Sequence, residues 1–432
     1  MTIKTYYIIL KTIWDLVGNW WWLPLPFLLW RPFSFLWLWM KRESWSSKQK
    51  MIMLEIKTPK DVLEPVKAME EVFSGFWGAL YGFPDPWEKW LEGECPFSYS
   101  FEIVSLGGNI HFFIRIPDAA RDAVESAIYS QYPASEISLA EDYTKIIPRD
   151  IPNKDWDLYG TAYKMAKSDI YPIKTYSKFF EEKPDISKEE KRIDPLSNLI
   201  EGMTKIKPGE QLWLQIIALP VTNEEDNYVD RGNEFVNKML KKTKDKPPMK
   251  PMIQEGLEGL LFGVSEKEKE EKSKDFEPET MLSSGEKQLI SSVESKVSKN
   301  AFASTIRFIY LVKKDIFFKA QIKLIFSFFA QFSATNLNGL IPLSSSKTKV
   351  KKSWFFPLNY FIPRKIYVKK RKVFRNYINR LTPYFPDQGG TFILGTEELA
   401  TLFHFPSRIL SPTPSVSRVE AKKGEPPSGL PI

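Results

Sequence analysis

Nucleophilic and metal-binding residue types are scarce in this sequence. Its 432 residues include one cysteine, Cys95, and two histidines, His111 and His404. A single cysteine permits no internal disulfide, and these three side chains are too few for a Cys/His zinc site or a His-rich metal centre. The sequence therefore predicts no metal-binding residues and no CxxC redox chemistry.

Motifs for nucleotide hydrolysis and acyl transfer are also missing. A phosphate loop, GxxxxGK[ST], cradles phosphates with backbone amides and a lysine, and neither this pattern nor GxSxG occurs in the chain. His111 lies in an alternating strand pattern and His404 follows a helix-like stretch, which are settings typical of structural histidines. Carboxylate pairs such as Glu70 with Glu71 lie in surface-like contexts. We therefore expect no catalytic residues, no cofactor and no enzymatic activity.

One segment has the composition of a binding surface. Residues 316–386 contain no Asp or Glu but fourteen Lys and Arg, interleaved with aromatic residues. This composition suits a nucleic-acid path, where cations neutralise phosphates and rings stack on bases, and it also suits a membrane surface with anionic headgroups. A solvated hairpin is the plain alternative. The predicted contacts to phosphate or lipid headgroups are Lys351, Lys352, Arg364, Lys365, Lys369, Lys370, Arg371, Lys372 and Arg375.

A second unusual segment lies at the N-terminus. Eight of the fourteen tryptophans fall in the first 45 residues. As a helix, the aromatic run at 20–40 would extend about 31 Å, close to the hydrocarbon thickness of a bilayer. Because three prolines and Arg31 interrupt it, a kinked span, a re-entrant hairpin and an interfacial anchor all stay open, and a soluble aromatic core is the plain alternative. The predicted anchor residues are Trp20, Trp21, Trp22, Phe27, Trp30, Phe33, Trp37 and Trp39.

The residues that follow the aromatic run indicate an orientation for the anchor. Residues 41–50 contain four basic side chains and one acidic side chain. If the anchor crosses once, the positive-inside bias places the larger C-terminal part of the chain in the cytoplasm. A reducing compartment also agrees with a single cysteine. We therefore expect a protein of the cell (inner) membrane with the bulk of its chain cytoplasmic.

The remainder of the chain has the pattern of an α+β protein. Residues 53–145 predict the order β-α-β-β-α-β, in which FSYSFEIVSL and IHFFIRI form a hairpin around the turn GGN. This order is the ferredoxin-like split pattern. Residues 195–345 predict a looser second copy. The expected fold class is therefore α+β, with an N-terminal membrane anchor followed by two ferredoxin-like units of the α/β-sandwich type.

Composition divides the chain into six segments. The predicted segments are the anchor and its basic flank at 1–50, a ferredoxin-like domain at 53–145, a connection at 146–194, a second α+β unit at 195–345 with a charged insertion at 241–287, a basic aromatic segment at 346–386, and a linker at 387–432 toward a motor domain that is absent. The linker is expected because its Pro-rich end would make a poor core.

Several extended blocks carry a family resemblance. The blocks MLEIKTPKDVLEPVKAMEEVF, IVSLGGNIHFFIRIP, DPLSNLIEGMTKIKPGEQLWLQI, LGTEELATLFHFP and SRVEAKKGEPPSGLP resemble the region preceding the motor in bacterial membrane-anchored ATPases of the type IV secretion and conjugation class, relatives of the FtsK/HerA DNA pumps. The similarity covers about residues 53–432 and is weakest at 241–287 and in the basic segment. In that family the phosphate-loop domain follows the GEPP motif. This chain ends at Ile432, so no ATP-binding residue can be transferred to it.

The resemblance implies a membrane-anchored platform that supports or regulates a DNA-translocating ATPase. We expect that motor to be a separate FtsK/HerA-like chain, with a split gene and a truncation as alternatives. DNA and a second copy of this chain are further candidate partners. The competing interpretation is a structural membrane scaffold that binds anionic lipid or envelope proteins and has no nucleic-acid role.

Overall fold

The computed structural model describes residues 11–12, 14–15, 18, 25–59, 65–80, 82, 84–179, 194–244, 282–316, 320–350, 359–383, 390–406 and 418–419. The fold is mixed α+β with a large, mainly antiparallel sheet. The chain divides into two compact units, one made of Met1–Met51 with Tyr81–Phe97 and the other of Ile52–Leu80 with Ser98–Ile432. Each unit is described separately below.

The first unit is built around a long helix. It contains helix α1 (Leu25–Lys48) and a π-helical turn (Glu88–Glu92). The indole Nε1 of Trp37 donates a hydrogen bond to the carbonyl oxygen of Trp90 at 2.8 Å. The ring of Trp45 stacks on Phe97 with centroids 4.8 Å apart. These aromatic contacts hold the turn against the helix.

The second unit is organised by the sheet. Its strands are β1 (Met51–Pro59), β2 (Tyr99–Leu106), β3 (Asn109–Pro117), β4 (Glu136–Leu139), β5 (Trp156–Met165), β6 (Glu210–Val221), β7 (Ala301–Lys313), β8 (Leu340–Pro342), β9 (Thr391–Gly395) and β10 (Arg418–Val419). Neighbouring strands follow the order β10-β1-β3-β2-β6-β7-β5-β8, while β4 pairs with β1 and β9 with β7. The longest ladder joins β6 to β7 in antiparallel register, from Glu210 opposite Val312 to Val221 opposite Ala301.

The second unit contains eight longer helices within its described residues. They are α2 (Val66–Leu80), α3 (Arg121–Gln131), α4 (Ser197–Thr204), α5 (Tyr228–Lys244), α6 (Ser284–Val297), α7 (Ala320–Ala330), α8 (Ile362–Ile378) and α9 (Thr396–Leu402). Helices α5 and α6 pack on each other in a separate apolar cluster, and the other six contribute to the cores on the two faces of the sheet. Because side chains alternate along a strand, Leu212 and Leu214 of β6 join one core with α2, α3, α4, α7 and α9. Trp213 between them joins the opposite core, which α8 covers.

The hairpin and the neighbouring helices of the first α+β unit are confirmed. Strands β2 and β3 pair in antiparallel register from Ser100 opposite Arg115 to Leu106 opposite Asn109. Gly107 and Gly108 adopt positive φ angles of 60° and 98°, which only glycine tolerates easily. The order β-α-β-β-α-β that residues 53–145 predict is present as β1, α2, β2, β3, α3 and β4.

Two segments that were predicted to connect domains are parts of the core. The connection at 146–194 contains β5, which pairs with β7 and β8. Within the expected linker at 387–432, residues 391–402 form β9 and α9, and Leu394, Leu399 and Phe403 are fully buried. The linker prediction is therefore wrong for residues 390–406, because they contribute apolar side chains to the main core. Residues 407–417 and 420–432 lie outside the described part of the chain.

The charged insertion predicted at 241–287 falls largely outside the described residues. Its two ends are helical: 241–244 complete α5, and 284–287 begin α6. A capping box starts α6, where Ser283 and Glu286 satisfy each other's backbone amides.

Candidate functional site

Residues 362–378 of the basic segment form an amphipathic helix, where a solvated hairpin was the plain alternative. Helix α8 buries Val373, Phe374 and Tyr377 against the sheet, in a core that includes Leu158 and Trp213. A Cβ on Gly160 of β5 would lie 3.0 Å from Val373 Cγ1 and 2.9 Å from the carbonyl oxygen of Phe308. Glycine at this position therefore lets the helix approach the sheet closely.

The outward side of α8 carries a stripe of cations. At about 100° per residue, Arg364, Arg371 and Arg375 lie within about 40° of one another around the helix and opposite the buried side chains, over about 16 Å of its length. Lys365 and Lys372 lie beside them, and all five cations are exposed. No acidic residue occurs anywhere on α8.

Neighbouring groups neutralise little of this charge. Within the described part of the chain, Lys370 is the cation of the predicted set that forms a salt bridge, at 2.5 Å from Asp157 Oδ1. Lys369 Nζ donates to the carbonyl oxygen of Lys347 at 3.4 Å. Both of these lysines are half-buried on the flank of the helix. The five outward cations therefore form a positive surface of their own.

Exposed aromatic and aliphatic side chains lie among the cations. Tyr360 is 84% exposed, and Phe361, Tyr367 and Val368 are also exposed. The Arg371 guanidinium lies 5.7 Å from the centroid of the Tyr367 ring and donates to its hydroxyl oxygen at 2.9 Å. The Tyr367 ring is thus already in contact with an arginine of the same helix.

Two buried arginines fix the C-terminal end of α8. Arg307 on β7 donates through Nη1 to the carbonyl oxygen of Asn376 at 2.8 Å and through Nη2 to that of Leu381. Burial lowers the pKa of Arg307 to about 10. A cation at a helix C-terminus satisfies carbonyls that have no partner within the helix and opposes the negative end of the helix dipole. The helix end is therefore anchored by charge as well as by packing.

The second arginine, Arg380, lies between two carboxylates. Its Nε is 3.0 Å from Glu102 Oε1, and its Nη2 is 3.2 Å from Glu102 Oε2 and 3.0 Å from Asp142 Oδ1. Burial alone would raise the pKa of both carboxyls, but the Arg380 charge and its hydrogen bonds hold both pKa values below their ordinary range. Arg380 adopts a left-handed conformation, with φ of 51°. The contacts of the ion cluster therefore offset the energetic cost of this left-handed conformation, which glycine adopts more easily than arginine.

Two tyrosines and a glutamine complete this buried cluster. Tyr143 Oη donates to Glu102 Oε2 at 2.7 Å and lies 3.0 Å from Tyr377 Oη, and Gln215 Nε2 donates to Glu102 Oε1 at 2.8 Å. Burial, and then the Glu102 charge, raise the pKa of both phenols well above the ordinary value. These hydrogen bonds tie α8 to β2 and β6.

Other buried ionic contacts hold the C-terminal part of the sheet. Lys296 Nζ lies 2.9 Å from Glu398 Oε2 and donates to the carbonyl oxygens of Asp169 and Ile393. A cavity beside it, lined by Asp169, Arg231 and Lys296, has a volume of about 10 Å³, which is room for about one water molecule. These contacts brace β9 and α9 against α6.

Both histidines contact neighbouring polar groups through their rings. The buried His404 places Nε2 2.8 Å from Asp194 Oδ1 and Nδ1 2.8 Å from the carbonyl oxygen of Ala400. His111 Nδ1 lies 2.7 Å from Glu55 Oε1, and Glu55 has a lowered pKa because of that hydrogen bond. In the described residues, no group of three or more His, Cys, Asp or Glu side chains is arranged to hold a metal ion.

The predicted anchor residues are only partly described. Trp20, Trp21 and Trp22 lie outside the described residues, as do Lys351 and Lys352 of the basic set. The other five anchor residues lie on α1, where Phe27, Trp30, Phe33 and Trp39 are exposed and Trp37 is half-buried. Among the helices that the structure describes, none combines the length and apolar character needed to cross a bilayer.

The buried ion cluster was not predicted from the sequence. Glu102 is the one charged residue of β2, and this lone carboxylate was the available signal. Its partner Arg380 is 278 residues away in the chain and looks like one more cation of a basic segment. Glu70, expected on the surface, is buried and accepts a hydrogen bond from Tyr176 Oη at 2.7 Å.

Comparison with known proteins places the chain in a family without assigning it an activity. A search of curated proteins found no match. The profile of a domain of unknown function, DUF8128, matches residues 46–417. This match includes β1 to β9 and the basic helix α8, and so most of the chain. The protein therefore belongs to the DUF8128 family.

Proposed function

We propose that this protein is a membrane-attached, non-catalytic platform subunit of a type IV secretion- or conjugation-like machine that translocates DNA. In this proposal α1 attaches the chain to the inner membrane, the second unit lies in the cytoplasm, and a separate FtsK/HerA-like ATPase supplies the motor. The observation that carries the proposal is the exposed aromatic surface of α1.

The side chains of α1 change character along its length. Phe27 is 82% exposed and Trp30 is 63% exposed, and further exposed apolar side chains continue to Met40. Lys41 and Arg42 follow. Aromatic residues next to basic ones suit the boundary between acyl chains and headgroups. An exposed apolar surface of this kind does not stabilise a helix that faces water. We therefore infer that this surface of α1 contacts lipid.

The strand order supports a ferredoxin-like description of residues 53–145. The order β4-β1-β3-β2 is that of a split β-α-β unit, because β1 and β3 are neighbours although β2 separates them in the chain. The order β8-β5-β7-β6 repeats this arrangement in the second half. There, however, β5 and β7 are antiparallel, where a split unit has a parallel pair. We therefore propose a ferredoxin-like first half and a related second half.

The partner ATPase is the part of this proposal that rests on the sequence resemblance. The test is to express the chain together with the product of the neighbouring open reading frame and to purify one through a tag on the other. Retention of a phosphate-loop ATPase through a salt wash supports the platform role, and retention by a second copy of the chain reports an oligomer.

A scaffold without a motor is the second candidate. The positive surface of α8 favours it, because anionic lipid alone would satisfy that surface. If no ATPase co-purifies while the chain still floats with membranes, the scaffold function replaces the platform function.

A further inference from the structure

The outward face of α8 has the features of a lipid-headgroup contact. Its five exposed cations face away from the sheet and no acidic residue lies on the helix. A flat anionic surface can meet a straight helix along its whole length, about 25 Å for 17 residues. Charge complementarity therefore points to a polyanionic partner.

The uncharged side chains of this face distinguish lipid from nucleic acid. Val368 lies in the middle of the arginine stripe and is 55% exposed. An aliphatic side chain at this position makes no favourable contact with phosphate, but it can insert into the apolar boundary of a headgroup layer. Tyr360, an amphipathic ring, and Phe361, an apolar ring, lie at the start of the helix. Both suit the same boundary between headgroups and acyl chains.

The geometry of the rings argues in the same direction. Sites for single-stranded nucleic acid combine a basic groove with open ring faces on which bases stack. Here the cations lie on the convex outer side of one helix, and Tyr367 is engaged by Arg371 at 5.7 Å. Tyr360 and Phe361 pack edge to face on each other with centroids 5.5 Å apart. These three rings are therefore poorly placed as a stacking platform.

We propose that Arg364, Lys365, Arg371, Lys372 and Arg375 bind the headgroups of anionic phospholipids, so that α8 is a second membrane contact. This proposal rests on the proposed membrane attachment through α1 and adds a lipid class to it. The anchored C-terminal end of α8, held by Arg307 and Arg380, keeps the cationic face directed outward.

The test is flotation of the full chain with vesicles of phosphatidylcholine alone and of phosphatidylcholine mixed with phosphatidylglycerol. We expect phosphatidylglycerol to increase binding, high salt to abolish the increase, and the triple variant R364E/R371E/R375E to weaken binding to the mixed vesicles at least about tenfold. Binding to phosphatidylcholine alone, which reports α1, should stay unchanged.

A matched variant controls for net charge. The variant K238E/K287E/K323E makes the same change in net charge by replacing three exposed lysines elsewhere in the second unit. One of them, Lys323, lies on α7, which packs on the other face of the sheet. This variant should bind the mixed vesicles like the unaltered chain. Equal losses in both variants would overturn the proposal, because bulk charge would then explain the binding.

Two further results separate the remaining possibilities. If phosphatidylglycerol adds nothing to binding by the unaltered chain, the α8 proposal fails while attachment through α1 stands. If the α8 variant keeps its lipid binding but loses affinity for a single-stranded oligonucleotide, measured by fluorescence anisotropy, the face belongs to nucleic acid instead. Absence of binding to every vesicle overturns both the attachment and this extension of it.

Discussion

The guanidinium of Arg380 lies against the carboxylate of Glu102, with Nε 3.0 Å from Oε1 and Nη2 3.2 Å from Oε2. Arg380 follows the last turn of α8, and Glu102 is in the middle of β2. The pair is almost entirely buried, so each charge depends on the other for its solvation. The pair ties the C-terminal end of the basic helix to the sheet, alongside the hydrogen bonds of Arg307 and the packing of Tyr377.

Arg380→Ala should destabilise the protein by about 3–5 kcal/mol, because it leaves Glu102 as a buried charge without its cation. Urea unfolding followed by circular dichroism measures this loss. Arg371→Ala on the exposed side of the same helix is the matched control and should change the unfolding free energy by less than about 0.5 kcal/mol. Similar effects of both changes would mean that the buried pair does not hold the helix.

Acid should weaken the fold through the same cluster. Arg380 holds the pKa values of Glu102 and Asp142 below their ordinary values of 4.5 and 3.8. A carboxyl with a lowered pKa in the folded state stabilises the fold above its unfolded pKa, and this contribution is lost as pH falls through the folded pKa. We therefore expect the urea midpoint to fall as pH decreases below about 4.5.

Glu102→Gln should make that acid dependence shallower, although it also lowers stability at neutral pH. The exposed Glu141→Gln serves as the control and should keep the slope of the unaltered protein. An unchanged slope in Glu102→Gln would assign the acid sensitivity to other carboxyls.

Phe403→Ala should cost about 3–5 kcal/mol, as expected for a large aromatic side chain removed from a core. Phe403 is fully buried, and its ring lies 5.3 Å from Phe101 and 5.9 Å from Phe112. Phe361→Ala on the exposed start of α8 is the size-matched control and should be nearly neutral. A neutral Phe403→Ala would restore the linker interpretation of this segment.

Local patterns predicted those elements whose stability depends on nearby residues. The β2–β3 hairpin was predictable because apolar runs flank the turn glycines Gly107 and Gly108. Strand β5 was not, because Asp157, Gly160 and Lys164 interrupt its apolar pattern. Its register depends on β7, about 150 residues later in the chain.

The composition of the candidate site could be predicted from the sequence, but the contacts that hold α8 against the sheet could not. Charge counting located the cations of α8, since no acidic residue occurs between 316 and 386. Which of them face outward depends on the packing of Val373 and Tyr377 against the sheet. The Glu102–Arg380 pair joins distant parts of the chain, and a local pattern carries no information about such contacts.

Attachment to membranes through α1 is the central claim and is tested most directly by flotation of the full chain with phosphatidylcholine vesicles. The unaltered protein should float, and a variant with Phe27, Trp30 and Trp39 replaced by serine should remain at the bottom of the gradient. Serine at the exposed aromatic positions Trp87 and Tyr129, both outside α1, should leave flotation unchanged. Failure of the unaltered protein to float, or equal flotation of the α1 variant, would contradict the account.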